Sequence, residues 1–250
     1  MALPRLFIST DMQMIHGIND IDGDKDDVQS LVHALMYQDK VEIVGIASSV
    51  SRWQPGMNDA RFIHHVIDQY AADQDELARH GSFKTAAELH GITYQGTKAL
   101  AGASGIVAQT DASRAIVREA REAAAAGTDL YVVTWGGIGD VARALYDAPD
   151  VADSIRLISV VGQLQEPNAY KYLKANFAGK GELWWIDEAS THYGVYAHPD
   201  NRYPTGNSWA VDNAKGHGAL GDLFYENTID TRGTTGNLDL VKMGDSWSVF

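Results

Sequence analysis

The chain has 250 residues, no cysteine, and 33 acidic against 20 basic side chains, a formal net charge of −13. Forty-five per cent of the residues are hydrophobic, which excludes a disordered chain and supplies a sizeable core. The missing thiols exclude disulfides, zinc–thiolate sites and thiol nucleophiles, and the acidic balance opposes nucleic-acid binding through phosphates. No apolar run reaches the roughly 18–20 residues of a membrane helix. The start, MALPRLFIST, lacks the basic n-region and apolar h-region of a secretory signal, so the chain reads as cytosolic or as one whose leader has been removed.

The pattern alternates strand and helix. Leu6–Thr10 is a short apolar run ending at Asp11, as in a buried strand. Val28, Leu31, Val32 and Leu35 recur at helical spacing, with Asp26 and Asp27 where a helix N-terminus favours carboxylates. Val41–Ser48 predicts a second strand, and helices follow over Ala60–Ala71 and Ala112–Ala126, the latter stopped by Gly127. Leu130–Thr134 is another strand, and the Gly136-Gly137 turn leads into a helix over Val141–Tyr146. Strand Ile155–Val161, a helix near Tyr170–Asn176 and strand Leu183–Ile186 repeat the cycle, with Trp184 and Trp185 expected in the core. His64 and His65 are expected on a solvated helical face. Beyond about Asp187 the pattern dissolves into Gly, Asn, Asp, His and Tyr and predicts long loops. The fold class is therefore α/β: one domain over 1–250 with an open, mostly parallel sheet and helices on both faces. Ligands collect at the carboxyl ends of such strands, so the polar segments after Thr10, Ala47 and Thr134 should be neighbours.

The most unusual stretch carries Asp11, Asp20, Asp22, Asp24, Asp26 and Asp27 within a single loop and helix start. Carboxylates this dense repel unless solvent or a cation screens them, and hard oxygen donors suit Ca²⁺ or Mg²⁺ more than softer metals. The plainer alternative is a helix cap at Asp26 or Asp27 beside solvated loop charges. An EF-hand fails: Asp22, Asp24 and Asp26 fit loop positions one, three and five. Position six, however, is Asp27 instead of Gly, and position twelve is His33 instead of Glu. An Asp-x-Asp phosphatase fails too, because Asp20 and Asp22 follow Gly17-Ile18-Asn19 and not an apolar strand.

Asp22-Gly23-x-x-Asp26-Asp27 before an apolar helix resembles the D-P-G-x-D-D signature of nucleoside hydrolases. The chain resembles more closely the nucleoside hydrolase-like domain of Sde182-type cellulose-binding proteins. The matching pieces are Ser9–Asp11, Asp24–Tyr37, Val41–Ser49, Trp53, Thr110–Ser113, Tyr131–Leu145, His217–Gly221 and Met243–Ser246, in order from end to end. The resemblance implies a Ca²⁺ at the strand C-termini, held by Asp11 or Asp22, by Asp27, by the Trp135 carbonyl and by Asp245. The segment Met12–Ile21 looks inserted, which leaves Asp11 and Asp22 as alternatives.

The implied chemistry is hydrolysis of an N-glycosidic bond of a small nucleoside or other glycoside. Asp11 or Asp22 serves as general base to a metal-bound water, and Asp26 stabilises an oxocarbenium-like transition state. Candidate acids for the leaving group are His192, His198 and His217. Trp53 is placed to stack on a substrate ring or to pack at the rim. Gln163, Glu166 and Asn168, after the strand near Val161, suit sugar contacts or an ordinary polar turn. Asp140 stands where the related motif tends to have Asn. Phe250 lies just past the late Asp, where relatives continue, so the domain is expected either to be truncated at its C-terminus or to lack a closing segment. A second class stays open: a non-catalytic, Ca²⁺-dependent carbohydrate-binding module on the same site. The fold's relatives are commonly oligomers, and neither nucleic acid nor membrane is an expected partner.

Overall fold

A computed structural model of the chain describes residues 3–13, 25–188, 207–228, 241 and 243–249. Asp20, Asp22, Asp24, His192 and His198, and residues 14–21 of the inserted-looking segment, lie outside the described residues. Two compact units form. One comprises Met1–Asp11, Lys40–Ala60 and Ile92–Ala189; the other comprises Met12–Asp39, Arg61–Gly91 and Ser190–Phe250.

The first unit holds one six-stranded sheet, β1 (Arg5–Thr10), β2 (Glu42–Ser48), β3 (Thr93–Gln95), β4 (Leu130–Thr134), β5 (Ile155–Val160) and β6 (Trp184–Glu188). Every pairing is parallel, and the spatial order is β3-β2-β1-β4-β5-β6. The order reverses between β1 and β4, where an open parallel sheet leaves a crevice at its carboxyl edge. The inner strands read as continuous apolar runs because both sides of each are buried. Helices α4 (Asp111–Ala125), α5 (Gly139–Asp147) and α7 (Pro167–Asn176), the last preceded by the four-residue α6 (Gly162–Gln165), lay Ile116, Val141, Leu145 and Leu173 against Phe7, Val132 and Leu157 of the sheet. Thr110 opens α4 with a capping box, its hydroxyl accepting from the Ser113 N–H, while Gly127, at φ 68°, follows its last turn in a left-handed conformation.

The second unit contains α1 (Lys25–Met36), most of α2 (Ala60–Leu77), α3 (Ala86–Gly91), α8 (Asn207–Asn213) and α9 (Gly218–Glu226). The predicted apolar face of α1, Val28, Leu31, Val32 and Leu35, is fully buried. Asp73 of α2 accepts the N–H groups of Ala219 and Leu220 at 3.0 and 2.8 Å. It thus satisfies donors that the first turn of α9 cannot pair internally.

Several expectations are corrected. The segment beyond Asp187 is not loop throughout, since α8 and α9 lie in it. In α9, Leu220, Leu223 and Phe224 are buried at helical spacing within a Gly-rich setting that hides the period. Trp184 is 46% exposed because β6 is an edge strand, whereas Trp185 is partly buried and donates its indole N–H to Ser159 Oγ at 2.9 Å. His64 is not simply solvated: its Nδ1 meets His90 Nδ1 at 2.8 Å. The strand ending near Val161 stops at Val160, and Val161 itself takes a left-handed conformation at φ 49°.

Candidate functional site

The three polar segments expected to be neighbours are knit together at the carboxyl edge of the sheet. The N–H of Ser49, after β2, donates to Thr10 O at 2.7 Å, that of Trp135 to Ser9 O at 2.8 Å, and that of Gly137 to Val50 O at 3.0 Å. Asp11, 1% exposed, follows β1 there, and Ser51 Oγ donates to its Oδ2. Gly136 is glycine for a steric reason: a Cβ would lie 2.7 Å from Cβ, Cγ and Oδ1 of Asp11. The carbonyl of buried Trp135 accepts from Gln165 Nε2 at 3.0 Å. The Ser51–Asp11 pair escaped sequence reasoning, since a serine in a polar loop carries no signal of its target.

Two other carboxylates in this unit have internal partners. Asp140 accepts from Ser49 Oγ at 2.9 Å, from Thr110 Oγ1 at 2.6 Å and from the Thr97 N–H at 3.0 Å. Burial pushes its titration up, against the pull of those donors. Glu166, 1% exposed, accepts the Ala101 N–H on one oxygen at 2.8 Å and the Gly139 N–H on the other at 2.6 Å. Burial, joined by the nearby charge of Asp140, raises its pKa to about 7 although both N–H groups oppose the shift. Asn168 Nδ2 donates to Ala101 O at 3.1 Å. Gln163 is exposed and its N–H reaches Asp187 Oδ2 at 3.3 Å. Trp53 is 58% exposed, with the Arg52 guanidinium 5.5 Å from its ring centroid.

In the second unit Asp26, Asp27 and Asp245 come together. They are 8%, 2% and 3% exposed, and each offers a carboxylate oxygen within 4.8 Å of the other two. At an effective dielectric constant near 20, two unit charges at that distance repel by about 3 kcal/mol, and the cluster holds three such pairs. A divalent cation reverses the sign of that energy, and three carboxylate donors fit Ca²⁺ or Mg²⁺ chemistry. Asp26 and Asp27 come from the first turn of α1, and Asp245 precedes a 3-10 turn over Ser246–Ser248 without capping it through its side chain. His217 is exposed and contributes to the wall of a cavity of about 470 Å³, alongside Trp209, Leu220 and Phe224.

The family described as "Cellulose-binding Sde182, nucleoside hydrolase-like domain" matches residues 5–249. The chain belongs to this family. A nucleoside hydrolase-related protein from Saccharophagus degradans, associated with carbohydrate metabolism, superposes with a TM-score of 0.75 at 21% identity, over 99% of this chain and 54% of that one. The Sde182-like chain therefore spans about half the length of that relative. An inosine-guanosine nucleoside hydrolase aligns with a TM-score of 0.62 at 14% identity, covering 98% of this chain and 77% of its own. An inosine-uridine preferring nucleoside hydrolase from Bacillus anthracis gives 0.53 at 14% identity, covering 98% and 80%. At such identities these likenesses establish the nucleoside hydrolase-like α/β fold. No curated protein matches the chain.

Proposed function

We propose that this Sde182-like domain hydrolyses the glycosidic bond of a small molecule, an N-ribosyl bond first, with a divalent cation, Ca²⁺ ahead of Mg²⁺, at Asp26, Asp27 and Asp245. The observation that carries the reading is that cluster: three buried carboxylates within 4.8 Å of one another, drawn from opposite ends of the sequence. The family resemblance supplies further ligands, Asp11 or Asp22 and the Trp135 carbonyl, which we include in the proposal. Bound there, the cation supplies a positive charge that holds vicinal sugar hydroxyls and acidifies a water.

The chain's own groups do the rest. Asp11, or Asp22 in its place, accepts the proton from the attacking water, and the hydroxyl of Ser51 keeps the Asp11 carboxylate in one orientation. Asp26 adds negative charge that favours an oxocarbenium-like sugar. Trp53 offers an indole face for a ring to stack on, while Gln163, Asn168, Glu166 and His217 remain proposed substrate contacts. His217 also stands as a candidate acid for the leaving group, as do His192 and His198. A second reading, a Ca²⁺-dependent carbohydrate-binding module without turnover, is favoured by the exposure of Trp53 and needs only the cation and that indole. Small-molecule ligands, not nucleic acid, suit both readings, and assembly into a homo-oligomer is proposed with them.

The test is calorimetric titration of EDTA-stripped protein with Ca²⁺, beside Asp27→Ala. Release of base from inosine, and binding of cello-oligosaccharides, are then measured with and without the ion. Tight binding that disappears in the variant, with ion-dependent turnover, supports the hydrolase; ion-dependent sugar binding without turnover supports the module. No Ca²⁺ or Mg²⁺ binding by the wild type overturns both.

A further inference from the structure

We infer that His33 is a positioning residue for Asp245, acting through the hydroxyl of Ser246. The inference rests on the proposed cation site and goes beyond it, since neither His33 nor Ser246 belongs to the ligand set.

Asp27, Ser30 and His33 follow one another at three-residue intervals, so they share a face of α1. Asp27 heads that face within the carboxylate cluster. One turn on, Ser30 Oγ lies 3.2 Å from Ser246 Oγ, and one turn further His33 Nδ1 lies 3.1 Å from the same hydroxyl. Ser246 is the residue after Asp245. The helix that presents Asp26 and Asp27 thus also grips the segment that presents Asp245, through a single oxygen. The grip has a direction. A serine hydroxyl has one proton, so if Ser246 donates to Ser30, the Nδ1–H tautomer of His33 donates to Ser246. If His33 accepts instead, Ser30 donates. Only the second arrangement requires a neutral imidazole, the form that burial favours by lowering the pKa of His33. Tyr37, one turn along, meets the His33 ring edge-on at a centroid distance of 4.9 Å and fixes its plane.

Asp245 stands directly before Ser246 at the head of the 3-10 turn. Its side chain does not cap the 3-10 turn, although its carbonyl accepts from the N–H and hydroxyl of Ser248 at 3.0 and 2.6 Å. The backbone is thereby held, and the Ser246 hydroxyl settles how it sits against α1. Groups that orient metal ligands in this way change metal affinity by roughly ten- to a hundred-fold when removed.

Tb³⁺, an oxygen-seeking stand-in for Ca²⁺, tests this by luminescence titration and by excited-state lifetimes in H₂O and D₂O, which count the waters on the bound ion. The variants are His33→Leu, His33→Asn and Ser246→Ala. His33→Leu and Ser246→Ala should each weaken Tb³⁺ binding about ten-fold or more and add one to two waters, as Asp245 leaves the ion. His33→Asn places an amide near Nδ1 and should restore both readings to near the wild-type values. Wild-type affinity and hydration in both disrupting variants overturn the inference while leaving the cation site standing. So does an Asn variant as impaired as the Leu one, since packing and not the hydrogen bond would then matter. A wild type that binds no Tb³⁺ overturns the site and the inference with it. Ser246→Ala removes one hydroxyl only, so it decides the matter if His33→Leu does not fold.

Discussion

Replacing Glu166 by Gln should destabilise the chain more at acid than at alkaline pH. The carboxylate sits 1% exposed between the N–H of Ala101 and that of Gly139, and its pKa of about 7 is raised, chiefly by burial, from an ordinary value of 4.5. A carboxyl that titrates that much higher in the folded chain holds its proton more tightly by about 3 kcal/mol. Because the folded value is raised, this stability is fully present below 4.5 and is lost as pH rises through about 7. The chain's isoelectric point of about 5.0 makes the acid end of that window prone to precipitation, so pH 6 and 8.5 are the useful pair. Between them about 1 kcal/mol of the effect should disappear in the wild type and none in Glu166→Gln. The carboxamide has one acceptor for two N–H donors and turns an NH₂ toward the other, costing about 1–3 kcal/mol at every pH. Urea unfolding at the two pH values should therefore show the variant clearly weaker at pH 6 and nearer to the wild type at pH 8.5. A stability difference that is the same at both pH values would refute the reasoning.

Three further outcomes follow from single positions. Gly136→Ala drives a methyl to 2.7 Å from the Asp11 side chain and should cost about 1–3 kcal/mol by thermal unfolding, with a matching loss of any activity that needs Asp11. Val161→Gly relieves a β-branched residue at φ 49° and should stabilise by about 1 kcal/mol; a drop in the melting temperature would show that the valine side chain outweighs its backbone strain. Trp53→Ala should leave stability within about 0.5 kcal/mol of the wild type while weakening binding of aryl glycosides or cello-oligosaccharides. Unchanged sugar binding by calorimetry would remove the indole from the site.

The sheet was legible where burial is heaviest. Leu130–Thr134 was bounded from the apolar run alone, and β1, β2 and β5 were placed to within a residue, because strands buried on both sides advertise themselves. β3, three residues of half-buried Thr-Tyr-Gln at the opposite edge, has no such run. α2 runs on to Leu77 past the predicted Ala71, its last turns being solvated and without apolar period. Meetings across the sequence were harder to see. Asp27 and Asp245 were joined only through a family resemblance, and nothing in a single sequence marks Ser246 as the target of His33. Glu166 reads as a candidate sugar contact because it follows a strand end, and nothing in the sequence shows that it also holds two backbone N–H groups.

The structure separates two kinds of carboxylate by what surrounds them. Asp140 meets two hydroxyls and an N–H, Glu166 two N–H groups, and Asp187 the Ser159 hydroxyl with the N–H groups of Gly162 and Gln163. These are donors aimed at oxygen, and they stitch loops to strand ends. Asp26, Asp27 and Asp245, whatever donors each also meets, bring acceptors to within 4.8 Å of one another. Donor-ringed acids lose stability when they become amides, since an acceptor disappears. Acids that face acids gain, since about 3 kcal/mol of repulsion per pair is removed, unless a cation has already turned that repulsion into attraction. Asp26→Asn should therefore raise the melting temperature of EDTA-stripped protein and, in the same variant, shrink the further rise produced by Ca²⁺. A lower melting temperature without the ion would place Asp26 with the stitching carboxylates and leave the cluster with one member fewer to hold a metal.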